Sequence, residues 1–234
     1  FLIKILYKKA FNIVFISYGI KNDLNKIIDV SNSVVIYNPV LGDSMLSQSK
    51  CTVKDFIFDK RTKYLITVSR IAEERNIIEL INIFNLLPNK KNIKLLIIGD
   101  GPLLDECKSK VKQLNLENKI HFLGYKSNPY KYLSKSHVYL STAKWEGMGN
   151  SIIEALFFGL YIIAYDSPGG VSEMLKDGKF GSLIPYGDKQ KFVSDLIDNL
   201  NNSNLKNQDI NEHLELFKPN NVTKKYIDLI EAIS

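Results

Sequence analysis

Apolar and polar positions alternate along this chain in two periods, and the alternation becomes regular from Lys63 onward. Short apolar runs predict strands over residues 64–68, 94–98, 120–123, 138–140, 161–165 and 181–184. Between them, apolar residues at helical spacing predict helices over 77–87, closed by Pro88, and over 103–114, with Cys107 and Val111 on the inner face. Further helices are expected over 130–134, over 151–158 with Gly159 as the stop, through 172–175 and over 189–200. Pro102 suits the first helical position of its helix. Strands alternating with helices imply an α/β fold, a Rossmann-like, doubly wound parallel sheet with both faces covered. In such sheets ligands bind beyond the carboxyl ends of the strands. Val68, Ile98, Leu140 and Tyr165 each end a strand before a polar or Gly-rich turn, so those turns are expected to share one crevice.

The flanks are less regular. Residues 12–17, 17–28 and 33–37 read as strand, helix and strand, stopped by Asn38-Pro39; this piece is too small to bury its own faces. Residues 40–61 are weakly patterned and read as a linker without a strong element. Residues 201–207 are polar and Asn-rich, His213 falls in a polar tail, and 222–233 read as a closing helix.

The chemistry concentrates in Trp145-Glu146-Gly147-Met148-Gly149-Asn150-Ser151-Ile152-Ile153-Glu154-Ala155. Two carboxylates, Glu146 and Glu154, flank a Gly-x-Gly-Asn-Ser turn that enters a helix. Free N–H groups and the positive end of the helix dipole would meet an anion there. An acid on each side of a phosphate cradle suits a ligand whose hydroxyls flank a phosphate. Two plainer readings stand beside it. Ser151-x-x-Glu154 spells a capping box, and Gly147 and Gly149 could simply permit a tight turn.

Arg70 follows the strand over 64–68, with Arg75 five positions on; two guanidinium groups at a strand end can clamp a diphosphate. Arg75 could equally pair with Glu73, Glu74 or Glu79. Gly99-Asp100-Gly101-Pro102 is not a dinucleotide fingerprint; it either lets a ligand approach the backbone or makes a sharp strand-to-helix turn. Gly169-Gly170-Val171-Ser172-Glu173 reads as another helix start that could meet the same ligand. His121, His137 and His213 have no metal-ligand spacing, so no metal is expected.

Composition narrows the class. The chain has 234 residues, 45% hydrophobic and 24% charged, ordinary for a globular protein with a real core. Its net charge of +6 is spread along the chain, which does not point to nucleic acid and suits an anionic ligand or membrane surface. Cys51 and Cys107 lack any pairing logic, consistent with a reducing cytoplasm. The opening stretch has no signal-peptide cleavage site, and the start at Phe1 reads as mid-fold.

These pieces, in this order, resemble the C-terminal nucleotide-binding domain of the family-4 retaining glycosyltransferases, which have the GT-B fold. The matching stretches are Val68-Ser69-Arg70 with Arg75, Ile98-Gly99-Asp100-Gly101-Pro102 and Phe122-Leu123-Gly124. The most specific are Glu146 through Ala155, which fits the family's pair of glutamates, and Asp166 through Glu173. The resemblance implies a UDP-sugar donor and a glycan or lipid-linked acceptor, with no metal or other cofactor. It implies a cytoplasmic enzyme, peripheral on the inner membrane face, that builds bacterial surface polysaccharide or lipopolysaccharide. By residue, Arg70 and Arg75 would contact the diphosphate, Glu154 the ribose and Glu146 the transferred sugar. Gly147, Met148, Gly149, Asn150 and Ser151 would lie near sugar and phosphate, Gly99 and Gly101 would line the donor site, and Tyr125 would lie near the base. Residues 1–39 would be the tail of an acceptor domain, 40–61 the linker, 62–216 the donor domain and 217–234 a helix returning to the first domain. The chain departs from the family at Arg75, usually Lys, at Ser69, usually Gly, and at Tyr161, where Pro is common. Two other readings fit the residues: a sugar-nucleotide epimerase, for which only Glu146 is available as acid or base, and a non-catalytic nucleotide-sugar-binding module.

Overall fold

The computed structural model describes residues 6–201 and 210–232; residues 1–5, 202–209 and 233–234, among them part of the Asn-rich stretch and the last position of the expected closing helix, lie outside them. The chain opens with a small parallel unit: strand β1 (Ile13–Phe15), helix α1 (Tyr18–Asn25) and strand β2 (Ser33–Val35), with Val14 opposite Val34. Ser17 caps α1, its hydroxyl accepting the Ile20 N–H at 3.2 Å. Residues 40–61 hold more structure than their pattern announces, including helix α2 (Met45–Ser49). Met45 is buried, Leu41 N–H donates to Phe217 C=O, and Phe56 and Phe58 pack edge-on against Tyr64. The Leu41–Phe217 anchor spans most of the chain and the ring contacts follow no helical or strand period, so no local periodicity reveals them.

The main body follows in strict alternation. Strand β3 (Lys63–Val68) leads to α3 (Ile77–Leu86), β4 (Ile93–Ile98) to α4 (Leu104–Gln113), and β5 (Ile120–Gly124) to α5 (Tyr130–Leu133). Then come β6 (Val138–Ser141), α6 (Asn150–Phe157), β7 (Tyr161–Asp166), α7 (Val171–Met174), β8 (Gly181–Pro185), α8 (Lys189–Asn201), α9 (Ile210–Glu215) and α10 (Pro219–Glu231). Strands β3 to β8 form one parallel sheet in the order β5-β4-β3-β6-β7-β8. This is the doubly wound arrangement, and its order reverses between β3 and β6.

The apolar runs are continuous because both faces are buried. In β4, Leu95 and Ile97 face the cluster holding Leu80, Phe84, Val111 and Phe192, while Leu96 and Ile98 face the one holding Ile152, Ile153, Leu156 and Phe217. Two expectations are corrected here. Pro102 lies in a turn, with Leu103 as the cap of α4, so it is not the first helical residue. The tail near His213 is the helix α9, and His213 is buried between the rings of Phe180 and Phe217, its Nε2 2.8 Å from Met174 C=O.

Candidate functional site

Where the strand order reverses, the chains leaving β3 and β6 part to opposite sides and leave a crevice at their carboxyl ends. Exposed Arg70 stands on the loop after β3. That loop is buttressed from behind by the turn after β4: Ser69 N–H donates to Ile98 C=O at 3.0 Å, and Ile71 N–H to Asp100 C=O at 2.8 Å. A Cβ on Gly99 would lie 1.8 Å from the Ser69 carbonyl oxygen, and one on Gly101 2.3 Å from that of Ile71. The glycines are therefore required by backbone contact with the Arg70 loop.

After β6 the chain is gripped by the loop after β7. Glu146 N–H donates to Pro168 C=O at 3.0 Å, and Glu146 C=O accepts from Gly170 N–H at 2.9 Å. Between them Gly169 packs so closely that a Cβ would fall 1.8 Å from the Glu146 carbonyl oxygen. Gly149 then turns the chain into α6 with φ of 86°. Among the described residues, the N–H groups of Gly147, Met148, Gly149, Asn150 and Ser151 have no acceptor. Unpaired donors at a helix start carry partial positive charge of the kind that attracts anions. The Met148 side chain is buried away from them, its sulfur 3.2 Å from the Asn38 N–H, and the Asn150 amide oxygen accepts from the Asn38 side chain at 3.1 Å.

The capping box is not formed. Ser151 lies inside α6, and its hydroxyl meets the Tyr139 phenol at 2.7 Å. The Glu154 carboxylate instead accepts from the Tyr130 phenol at 3.3 Å. Burial pushes the Glu154 carboxyl up to about 7, opposed in small part by that hydrogen bond. A helix residue held in this state is not explained by capping.

Arg75 finds its partner far along the chain. Its guanidinium pairs with the Glu146 carboxylate rather than with Glu73, Glu74 or Glu79. Glu73 pairs with Lys144, while Glu79 pairs with Lys189 and accepts from the Tyr165 phenol. Thr142, buried just after β6, donates its one hydroxyl proton between the carbonyls of Asn76 at 3.0 Å and Arg75 at 3.3 Å, beside the guanidinium's own backbone. The Arg75 Nε–H is buried without an acceptor among the described residues. Thr142, Tyr130 and Tyr139 carry no motif; their only sequence signal is a polar group in or beside an otherwise apolar run.

Glu173 does not serve its own helix start. Its carboxylate accepts the Tyr18 N–H at 2.8 Å and the Gly19 N–H at 3.4 Å at the start of α1, and the Tyr37 phenol at 2.5 Å. It thereby fastens the β1–α1–β2 unit beside the crevice, where Ser17 also donates to Gly147 C=O at 2.8 Å. Burial and the Glu173 carboxylate together raise the Tyr37 phenol above its ordinary range. Tyr125, beyond edge strand β5, is 75% exposed. His137 accepts the Tyr64 N–H through Nδ1 and is structural, and His121 packs edge-on against Phe56. The structure thus brings Arg75, Glu146, the 147–151 donors, Ser151 and Glu154 together on one rim, with Arg70 on the facing loop.

A family model described as "Glycosyl transferases group 1" matches residues 52–214. The chain is 32% identical over 202 residues to the N-acetylgalactosamine-N,N'-diacetylbacillosaminyl-diphospho-undecaprenol 4-alpha-N-acetylgalactosaminyltransferase of Campylobacter jejuni; the match covers 84% of this chain and 52% of that protein. The chain therefore spans about half the length of this relative. A glycosyltransferase structure from Rickettsia africae superposes with a TM-score of 0.85 at 18% identity, over 99% of this chain and 67% of that one. A Staphylococcus aureus TarM mutant, solved with fondaparinux, alpha-GlcNAc-glycerol and UDP, superposes with a TM-score of 0.76 at 23% identity, over 95% of this chain and 44% of that one.

Proposed function

The chain belongs to the glycosyl transferases of group 1, and from that premise we propose that it carries the donor site of a retaining enzyme using a UDP-sugar. Residues 62–216 are the donor unit, 1–39 the end of an acceptor-binding domain, 40–61 their link and 217–234 the returning helix. The observation that carries this reading is the run of unsatisfied N–H groups from Gly147 to Ser151, bounded by Glu146 with Arg75 and by Glu154. Its length and charge suit a diphosphate, and a carboxylate on either side suits hydroxyls of a sugar and of a ribose. UDP in the TarM complex supports uridine as the nucleoside.

In the proposed reaction an acceptor hydroxyl oxygen forms a bond to the anomeric carbon on the face the diphosphate leaves. The bond from that carbon to the phosphate oxygen breaks, and the acceptor proton passes to the departing phosphate. Negative charge then grows on the diphosphate. Arg70, Arg75 and the 147–151 donors stabilise it without reorganising, which is the main contribution to rate. We assign this neutralisation to the protein's cations and N–H groups rather than to a metal ion. Glu146 holds the transferred sugar and Glu154 the ribose. The name of the Campylobacter jejuni relative supports a lipid-linked glycan as acceptor, hence surface-polysaccharide synthesis at the cytoplasmic membrane face.

Calorimetric titration of this chain with UDP, GDP and ADP, beside Arg70→Ala, tests the reading. Selective UDP binding that is lost in Arg70→Ala supports it; equal affinity for all three in both proteins overturns the assignment.

A further inference from the structure

Behind the free N–H groups lies a phenol that the proposed chemistry does not use. Tyr139 sits in the middle of β6, in register with Ile66 of β3, and is 2% exposed. Its hydroxyl is 2.7 Å from the Ser151 hydroxyl and donates to the carbonyl of Val68, the last residue of β3, at 3.2 Å. A phenol has one proton, so the two contacts compete for it. With that proton on Val68, Ser151 must donate inward to the phenol oxygen. With it on Ser151, the serine proton turns outward, toward any anion held by the 147–151 donors. The shorter contact is the one to Ser151. The same phenol also ties the strand that delivers Arg70 to the helix that supplies the N–H groups, the two sides of the crevice.

We propose that Tyr139 is a positioning residue of the donor site, acting through Ser151: by donating its proton to the Ser151 oxygen it leaves the serine's own proton to turn toward a phosphate oxygen, and its place between the end of β3 and α6 sets where that serine stands. This inference rests on the donor-site reading of residues 147–151.

The test is calorimetry of this chain with UDP and with uridine, which lacks the phosphates, using wild type, Tyr139→Phe, Ser151→Ala and the double variant. Tyr139→Phe is expected to weaken UDP about tenfold, one hydrogen bond to a charged group, and to change uridine less than about twofold. Ser151→Ala is expected to lose a similar factor, and the double variant no more than the larger single loss, because one path is removed twice. Equal losses for UDP and uridine, losses that multiply in the double variant, or no change in Tyr139→Phe would each overturn the positioning role. Failure of the wild type to bind UDP or uridine would instead overturn the donor-site reading, and this inference with it. Should Tyr139→Phe not fold, Ser151→Ala decides: a serine whose removal costs UDP nothing leaves the phenol nothing to position.

Discussion

Arg75 and Glu146, 71 positions apart, are ion-paired at the rim of the crevice, and the backbone of each is hydrogen-bonded to a neighbouring segment. Thr142 holds the carbonyl of one, while Pro168, Gly169 and Gly170 clamp the other. A diphosphate arriving at the N–H groups would compete with Glu146 for the guanidinium and turn the carboxylate toward the sugar. Glu146→Gln is therefore expected to bind UDP at least as tightly as wild type while the proposed sugar transfer falls about a hundredfold or more. Titration and turnover measured on the same protein separate the two effects; a tenfold loss of UDP affinity would mean that the pair holds Arg75 in place instead.

Gly169→Ala is expected to disturb Glu146 without touching any charge. The added methyl would meet the Glu146 carbonyl at 1.8 Å, and the residue has φ of 109°. Strain of this kind costs about 2–4 kcal/mol. Urea unfolding should show a lower midpoint at unchanged slope, and an unaltered midpoint would show that the clamp yields freely.

Glu154 should make the site pH-dependent. Burial holds its carboxyl up to about 7, against 4.5 for the ordinary group, so the folded protein keeps a proton that the unfolded chain has already lost. Between those two values stability declines as pH rises, by at most roughly 3 kcal/mol for the whole interval. The ionisable groups bearing on it are the phenols of Tyr130 and the wholly buried Tyr139, which also feels Arg75. If ribose hydroxyls donate to the carboxylate, uridine affinity should climb from pH 5.5 to 8. Uridine has no phosphate to confuse the profile. Glu154→Gln should flatten the curve, and a wild-type curve that is already flat would remove Glu154 from the ribose.

Glu173→Ala should loosen the β1–α1–β2 unit selectively. It removes a carboxylate that accepts two N–H groups at the start of α1 and the Tyr37 phenol, worth about 1–2 kcal/mol. Hydrogen exchange should quicken through Tyr18–Asn25 and stay unchanged in β4; uniform quickening would show that the unit does not open separately.

The sheet was legible because its strands are buried on both faces, so Leu95-Leu96-Ile97-Ile98 reads as a strand from its apolar run alone. Helix α2 was not legible, since only Met45 of its five residues is buried and its support comes from segments distant in the chain. His213 read as part of a polar tail for the same reason: Phe180 and the Met174 carbonyl, which meet it from one side, lie far back in the chain, and Phe217 alone is close in sequence. At the site the carboxylate pair and the glycine turn were visible, yet Ser151-x-x-Glu154 spells a capping box and a ligand site alike. The phenols of Tyr130 and Tyr139, on two other elements, draw Glu154 and Ser151 away from the cap, which no local pattern announces. Arg75 shows the same limit, because the three nearby glutamates are each plausible partners and the true one lies far along the chain.

The five free N–H groups carry one more consequence. Every residue except proline supplies the same donor, so an anion held by the main chain is indifferent to side-chain identity along that stretch. Exposed Asn150 could drift through many residues while such an anion kept its donors, whereas buried Met148 is held by its packing rather than by the anion. In a saturation scan, proline would stand out at these positions as the replacement that deletes a contact outright.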